Sequence, residues 1–196
     1  VRYREGDWDA VILPEGLADL GVNAVAQDST GALWFGTASG LSRLQHGTWT
    51  TYLSATLIYE VLCARDGTVW ASSSRGFHHF DGHNWRLFPV PLRWVASALE
   101  DSRGDVWFGT WGSGVYRYDG AGLRSYGSDG ISSHVVITIA EDPEGRLWFG
   151  TPGGARRYDG DEWLTFAARD GLPHDVVRDV FEDHDGHIWL ATDGGV

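Results

Sequence analysis

The sequence predicts an all-β fold made of repeated four-stranded antiparallel sheets, and three observations carry that expectation. First, a Trp-centred motif recurs five times: Leu33-Trp34-Phe35-Gly36-Thr37, Val69-Trp70-Ala71-Ser72-Ser73, Val106-Trp107-Phe108-Gly109-Thr110, Leu147-Trp148-Phe149-Gly150-Thr151 and Ile188-Trp189-Leu190-Ala191-Thr192. Second, a glycine stands three residues before each Trp (Gly31, Gly67, Gly104, Gly145, Gly186). An acidic residue precedes that glycine by three in four copies (Asp28, Asp101, Asp142, Asp183), and Ala64 takes the place in the fifth. Third, ten or eleven residues beyond the Trp lies a second anchor (Leu44, Phe80, Tyr118, Tyr158), and five further on another large residue (Trp49, Trp85, Leu123, Trp163). A period of about 40 residues with room for four short strands is the signature of a β-propeller, each repeat being one blade.

Within a repeat the strands follow in order. A Val/Ile-rich run, such as Val22 to Val25 or Val176 to Val180, forms the first. The Asp-x-x-Gly turn closes it, because the aspartate side chain and a residue tolerating φ > 0 suit a tight hairpin. The Trp strand comes next, with a small residue (Gly36, Ser72, Gly109, Gly150, Ala191) where backbones crowd. A Gly-containing loop leads to the third strand, and an Asp-Gly turn (Asp81-Gly82, Asp119-Gly120, Asp159-Gly160) introduces the outermost one. No segment of useful length has the helical period.

The two ends are in phase. Motif Trps are spaced 36, 37, 41 and 41 residues apart, and joining Val196 to Val1 adds a fifth spacing of 41. Across that join Trp189 to Tyr3 is ten residues and Tyr3 to Trp8 is five, as in the internal copies. The expectation is a single propeller domain over residues 1–196, five four-stranded blades, closed by pairing the N- and C-terminal halves of one blade. Such pairing covers two sheet edges. The alternative is part of a larger, for example seven-bladed, propeller.

Bulk properties narrow the function. A chain of 196 residues with 42% hydrophobic content buries a real core. A formal charge of −12 argues against nucleic acid and anionic membranes as partners. Cys63 is the only cysteine, so neither an internal disulfide nor a cysteine-based zinc site is available. No apolar run reaches the roughly 20 residues of a membrane span. The chain starts at Val1 with no signal peptide ahead of it, which reads as a processed or trimmed piece.

The pattern Asp-x-x-Gly-x-Leu-Trp-Phe-Gly-Thr…Gly-Leu…Arg-Tyr, with Asp170-Gly171-Leu172-Pro173 before the next strand, resembles the two-component regulator propeller repeat. It is similar at the repeat level to streptogramin lyase. The resemblance spans essentially the whole chain. It implies a propeller and, more loosely, a ligand-recognition role outside the cytoplasm, as in the periplasmic sensing domains of hybrid histidine kinases. Propellers of that family are usually seven-bladed, and five repeats depart from the pattern.

Function must be sought where a repeat departs from its siblings, because the fold hosts many activities. Nine of the eleven Trps occupy repeat positions, and packing between blades explains them. Trp94 and Trp111 are out of register, and both fall in loops on the face that opens on the central channel. The Trp111-Gly112-Ser113-Gly114 loop is one residue longer than its equivalents, and Arg93 adjoins Trp94. The links into the first strand are shortest before the second and third copies, which lowers the face on that side. A planar aromatic pair beside an arginine suits a sugar ring or another flat ligand. Asp19, Arg75, His134, His174, Asp175 and Asp193 are expected on the same face. The candidate ligand-binding set is Trp94, Trp111, Arg93, Arg75, His134 and Asp193.

No catalytic or metal site and no cofactor is expected. The eight His residues show no His-Glu-x-x-His spacing. Asp183-His184-Asp185-Gly186-His187 lies in the Asp-x-x-Gly turn on the opposite face, with Asp183 and Gly186 at repeat positions, where structural use explains it. One of His78 and His79 should point between blades, and Cys63 reads as a small buried hydrophobe. The favoured function is a non-catalytic sensor propeller binding a carbohydrate or similar small molecule, located in the periplasm or secreted. The alternatives are a lyase or glycan-cleaving enzyme using His134, His174 and Asp175 as acid or base, or a protein-interaction or repeat scaffold. Self-association through blade edges is expected if the ring is incomplete.

Overall fold

Each blade organises around its first turn. The computed structural model describes residues 2–5, 7–9, 16–90, 94–126 and 134–196, with 2–4 and 7–9 described by backbone alone. Strands β3 (Val22–Gln27), β4 (Leu33–Thr37), β5 (Gly40–Gln45) and β6 (Thr48–Tyr52) form the first complete blade. The second contains β7 (Ile58–Cys63), β8 (Val69–Ser73), β9 (Gly76–Phe80) and β10 (Trp85–Pro89). The third contains β11 (Val95–Glu100), β12 (Val106–Thr110), β13 (Val115–Tyr118) and β14 (Leu123–Ser125). The fourth contains β15 (Thr138–Glu141), β16 (Leu147–Thr151), β17 (Gly154–Tyr158) and β18 (Trp163–Phe166). A fifth unit is present as two halves, β1 (Arg2–Arg4) with β2 (Asp7–Asp9), and β19 (Val177–Glu182) with β20 (Ile188–Thr192). A short 3-10 turn at Ala168–Asp170 is the helical element of the described residues.

In each Asp-containing turn one carboxylate does two jobs. Asp28 Oδ1 accepts the N–H groups of Thr30 and Ala32, both at 3.0 Å, while Oδ2 accepts the Trp34 indole N–H at 2.9 Å. Asp101–Trp107, Asp142–Trp148 and Asp183–Trp189 repeat the indole bond at 2.8, 2.8 and 2.7 Å. The turn glycine holds φ between 75° and 87° in all five copies, a region costly for any side chain. In the second blade, where Ala64 cannot accept, Trp70 packs instead against His79 with ring centroids 4.3 Å apart. His78, its neighbour, is buried and bonds Ser73 Oγ at 2.9 Å.

The clamped indole points forward into the next blade. Trp34 meets Phe80 and Trp85, Trp70 meets Phe108 and Tyr118, and Trp107 meets Phe149 and Tyr158, with centroids 4.7 to 6.4 Å apart. These three indoles are each 1% exposed. Two residues beyond the Trp, the small residue lets the next inner strand approach. A Cβ added at Gly36 would lie 2.8 Å from Ile58, and one at Gly109 2.8 Å from Val136. Polar clasps join neighbouring turns. Arg65 N–H donates to Glu100 at 2.7 Å, and Ser102 N–H and Oγ donate to Glu141 at 2.7 and 2.6 Å. Inner strands β3, β7, β11, β15 and β19 therefore stand side by side in an arc.

The hairpin β1–β2 aligns Tyr3 with Trp8, and the outer strand pairs of the complete blades align Phe80 with Trp85 and Tyr158 with Trp163 in the same way. The pair β19–β20 aligns Phe181 with Trp189 as β7–β8 aligns Leu62 with Trp70. The expected half-blades are thus both present in register. They stand as separate two-stranded sheets among the described residues.

Truncating an internal indole empties a packed junction, whereas the forward face of β20 is open. Trp107→Ala is expected to cost about 3–5 kcal/mol. Trp189→Ala, at a side chain 52% exposed, should cost less than about 2 kcal/mol. Chemical denaturation of the two variants beside the parent measures both; equal losses would contradict the forward-packing account.

Acid should loosen the clamps. Burial pushes the Asp28 carboxyl up, but hydrogen bonds from Thr30, the Trp34 indole and Ala32 outweigh it and hold the group at about 2. At Asp142 burial likewise raises, and the Trp148 and Arg146 bonds prevail and lower it. A carboxyl that is more acidic folded than unfolded stabilises the fold above its unfolded value, near 4, and loses that contribution as pH falls toward the folded value. The thermal midpoint is expected to hold from neutrality to about pH 5 and to fall between about pH 4 and 2, less steeply in Asp28→Asn. A melting profile flat through that acid window would refute the coupling.

Candidate functional site

Trp94 and Trp111 come together across the start of β11 and the loop after β12. Trp111 N–H donates to the Trp94 carbonyl at 2.9 Å. Gly112 and Gly114 N–H groups both donate to the His134 carbonyl, at 2.7 and 3.0 Å, and Trp111 bridges to Val135. The extra length of this loop needs Gly112 and Gly114, with φ of 113° and 72°. Thr110 ties its base, its hydroxyl donating to the Gly114 carbonyl at 2.8 Å and accepting Ser113 N–H at 3.1 Å. Beneath lie Val95, Val115 and Val136, all fully buried. The aromatic platform is therefore held by backbone bonds on a packed bed.

An open cavity of about 820 Å³ is lined by Trp94, Trp111, Gly112, His134 and Val135. Both indoles are half-exposed, at 44% and 47%. Tyr59 of the second blade backs Trp94, with centroids 5.0 Å apart and planes at 35°. Sequence reasoning did not single out Tyr59, because it sits at a bulge beside Ile58 in an otherwise ordinary inner strand. Its signal was present as an aromatic where the equivalent positions hold Asn23, Ala96 and Arg178.

Three of the six expected ligand residues line this cavity: Trp94, Trp111 and His134. Arg75 lies in the β8–β9 turn of the neighbouring blade, its N–H bonded to Ser73 Oγ at 3.1 Å. Asp193 sits past the end of β20 and makes two bonds to Arg178, at 2.7 and 2.9 Å. That pairing lowers the Asp193 carboxyl below its ordinary value and raises Arg178. Neither residue lines the cavity. Arg93 lies outside the described residues.

The residues of the enzymatic alternative are dispersed. His174 accepts Val176 N–H through Nδ1 at 3.0 Å, and Asp175 accepts Ala168 N–H at 2.7 Å. Asp175 lines a second cavity of about 340 Å³ with Arg156, Thr165 and Arg169. Asp183, Asp185 and His187 bring potential metal-ligand atoms within 4.8 Å of one another. Asp183 there already accepts the N–H groups of Asp185 and His187 and the Trp189 indole, as its siblings do in their turns. Cys63 is half-buried, and burial pushes its thiol up to about 12, far from nucleophilic reactivity.

A two component regulator propeller family pattern matches residues 16–39, 90–112, 130–153 and 171–194, four segments that each run through the turn or loop entering a blade. These repeats belong to the two component regulator propeller family. The second matched segment spans Trp94 and Trp111, and the third begins before His134. Among solved structures, the extracellular domain of a hybrid two component system from B. thetaiotaomicron superposes with a TM-score of 0.70 at 23% identity, over 87% of this chain and 26% of that one. Virginiamycin B lyase from Staphylococcus aureus gives 0.69 at 17% identity, over 87% and 62%. PorZ, a surface component of the type-IX secretion system of Porphyromonas gingivalis, gives 0.71 at 15%, over 97% and 34%. The chain spans about a quarter of the first relative and less than two thirds of the lyase, and at these identities the likeness establishes the propeller fold. No curated protein matches the chain in sequence.

Proposed function

We propose that this chain is a non-catalytic recognition propeller of the sensor type, acting outside the cytoplasm, and that a carbohydrate or similar flat small molecule binds between Trp94 and Trp111. One observation carries the reading. The two tryptophans that the repeat does not require both stand half-exposed and line one cavity. An exposed indole costs solvation unless something covers it, and an apolar ring face is what it covers best. His134 supplies a polar edge to fix orientation. The sensor reading draws on the repeat family and on the extracellular two component relative, and among the described residues no helix is long and apolar enough to cross a membrane.

A thermal-shift screen against neutral and acidic oligosaccharides tests the proposal, since a ligand binding only the folded state raises the midpoint by mass action. The parent is expected to shift with at least one sugar. Trp111→Ala, at a half-exposed side chain, should keep the parent's unliganded midpoint and lose affinity by tenfold or more, about 1.4 kcal/mol. No shift with any sugar, or an unchanged affinity in Trp111→Ala, would overturn it.

The lyase relative keeps a second reading open at the same cavity, because His134 is a titratable side chain on its wall. On that reading His134→Ala abolishes turnover of a bound substrate while binding persists. On the sensor reading the bound sugar is recovered unchanged from parent and variant alike.

A further inference from the structure

The fourth blade departs from the repeat at a position that the first three keep free of fixed charge. Ser42, His78 and Tyr116 stand opposite Phe35, Ala71 and Phe108 where second and third strands pair, and all three are buried. In β17 the same position is Arg156, opposite Phe149, with Thr165 beside it on β18. Arg156 and Thr165 line the cavity of about 340 Å³ together with Gly153, Ala167, Arg169 and Asp175. Gly153 sits in the loop after β16 and Asp175 in the link before β19. The cavity is thus built from the counterparts, one blade on, of the elements that place Trp111 and His134, and it shares no described residue with theirs.

Two arginines and one carboxylate line this cavity on a chain that carries −12 overall. Burial holds the Arg156 guanidinium below its ordinary value, and the positive charge of Arg169 lowers it further; an arginine stays charged all the same. The carboxylates at hand both serve the 3-10 turn that presents Arg169. Asp175 Oδ1 accepts Ala168 N–H at 2.7 Å, and Asp170 Oδ2 accepts Ala167 N–H at 3.1 Å while lying 3.6 Å from Arg169 Nε. We propose that this cavity is a second binding site, taking an oxyanion, the carboxylate or phosphate group of a small ligand, between Arg156 and Arg169 with the Thr165 hydroxyl as a further donor. An anion there offsets the like charges of the two guanidiniums and the burial of one of them. The planar guanidinium fork also matches two oxygens of such a group, which an ammonium does not. The site is independent of whether the aromatic cavity takes a sugar.

Thermal midpoints of the intact chain in sodium phosphate and in sodium glucuronate, each against sodium chloride at the same ionic strength, test this. At least one probe is expected to give a saturable rise, half-maximal at or below about 1 mM, and the one that acts tells a phosphate from a carboxylate. Arg156→Gln and Arg169→Gln should each weaken that response tenfold or more. The Arg169 side chain is exposed, so Arg169→Gln should keep the parent's unliganded midpoint and carries the test even where Arg156→Gln folds poorly. Trp111→Ala should respond to the anion as the parent does, which separates this site from the aromatic one. No rise beyond that in chloride, or an unchanged affinity in Arg169→Gln, overturns the proposal. A response lost in Trp111→Ala overturns it too, because the anion then belongs to the first cavity.

Discussion

A single carboxylate, bonded to both a turn and an indole, is the constraint on which the propeller rests. The aspartate at the end of a blade's first strand would be costly to bury alone. It is tolerated because one oxygen takes backbone N–H groups and the other takes the Trp indole N–H. That second bond fixes the ring's rotation, and the ring then fills the gap before the next blade. Turn chemistry and inter-blade packing are thereby one interaction. The second blade shows the consequence of losing it: with Ala64 in place, the indole is held by packing against His79 and by its apolar neighbours.

The candidate site uses the same frame and departs from it in one loop. In the other complete blades the loop after the Trp strand closes tightly through Thr37, Ser73 or Thr151. In the third, which also closes through Thr110, one residue is added: Trp111 N–H bonds the Trp94 carbonyl, and Gly112 and Gly114 N–H groups tie the loop to the His134 carbonyl. The rigid bed matters for recognition, because a platform already ordered loses little entropy when a ligand lands. Buried Tyr59 of the neighbouring blade packs behind Trp94.

Much of this was legible in the residues. The Asp-x-x-Gly turns, the Trp strands and the outer hairpins fell where the spacing put them, because each is specified by local chemistry within a few residues. Trp94 and Trp111 stood out by breaking register, and His134 by sharing their face. Arg75 and Asp193 were grouped with them for the same reason, yet they sit in other sectors of the ring. Sequence position names both face and blade, but not which side chains of neighbouring blades converge on one cavity, which depends on blade curvature. Tyr59 was missed because its contact with Trp94 is made between blades, from a register-shift position that the repeat fills with other residues. How the two half-blades are completed is a question of curvature too, and no local signal encodes it.

Trp94, Trp111 and His134 all lie between residues 94 and 134, in the third blade and the link leading to the fourth. The proposed recognition surface is therefore a cassette. Because every blade meets its neighbours through the same clamp-and-pocket contact, a stretch of about 40 residues can be duplicated, exchanged or recombined with a sibling without redesigning the rest.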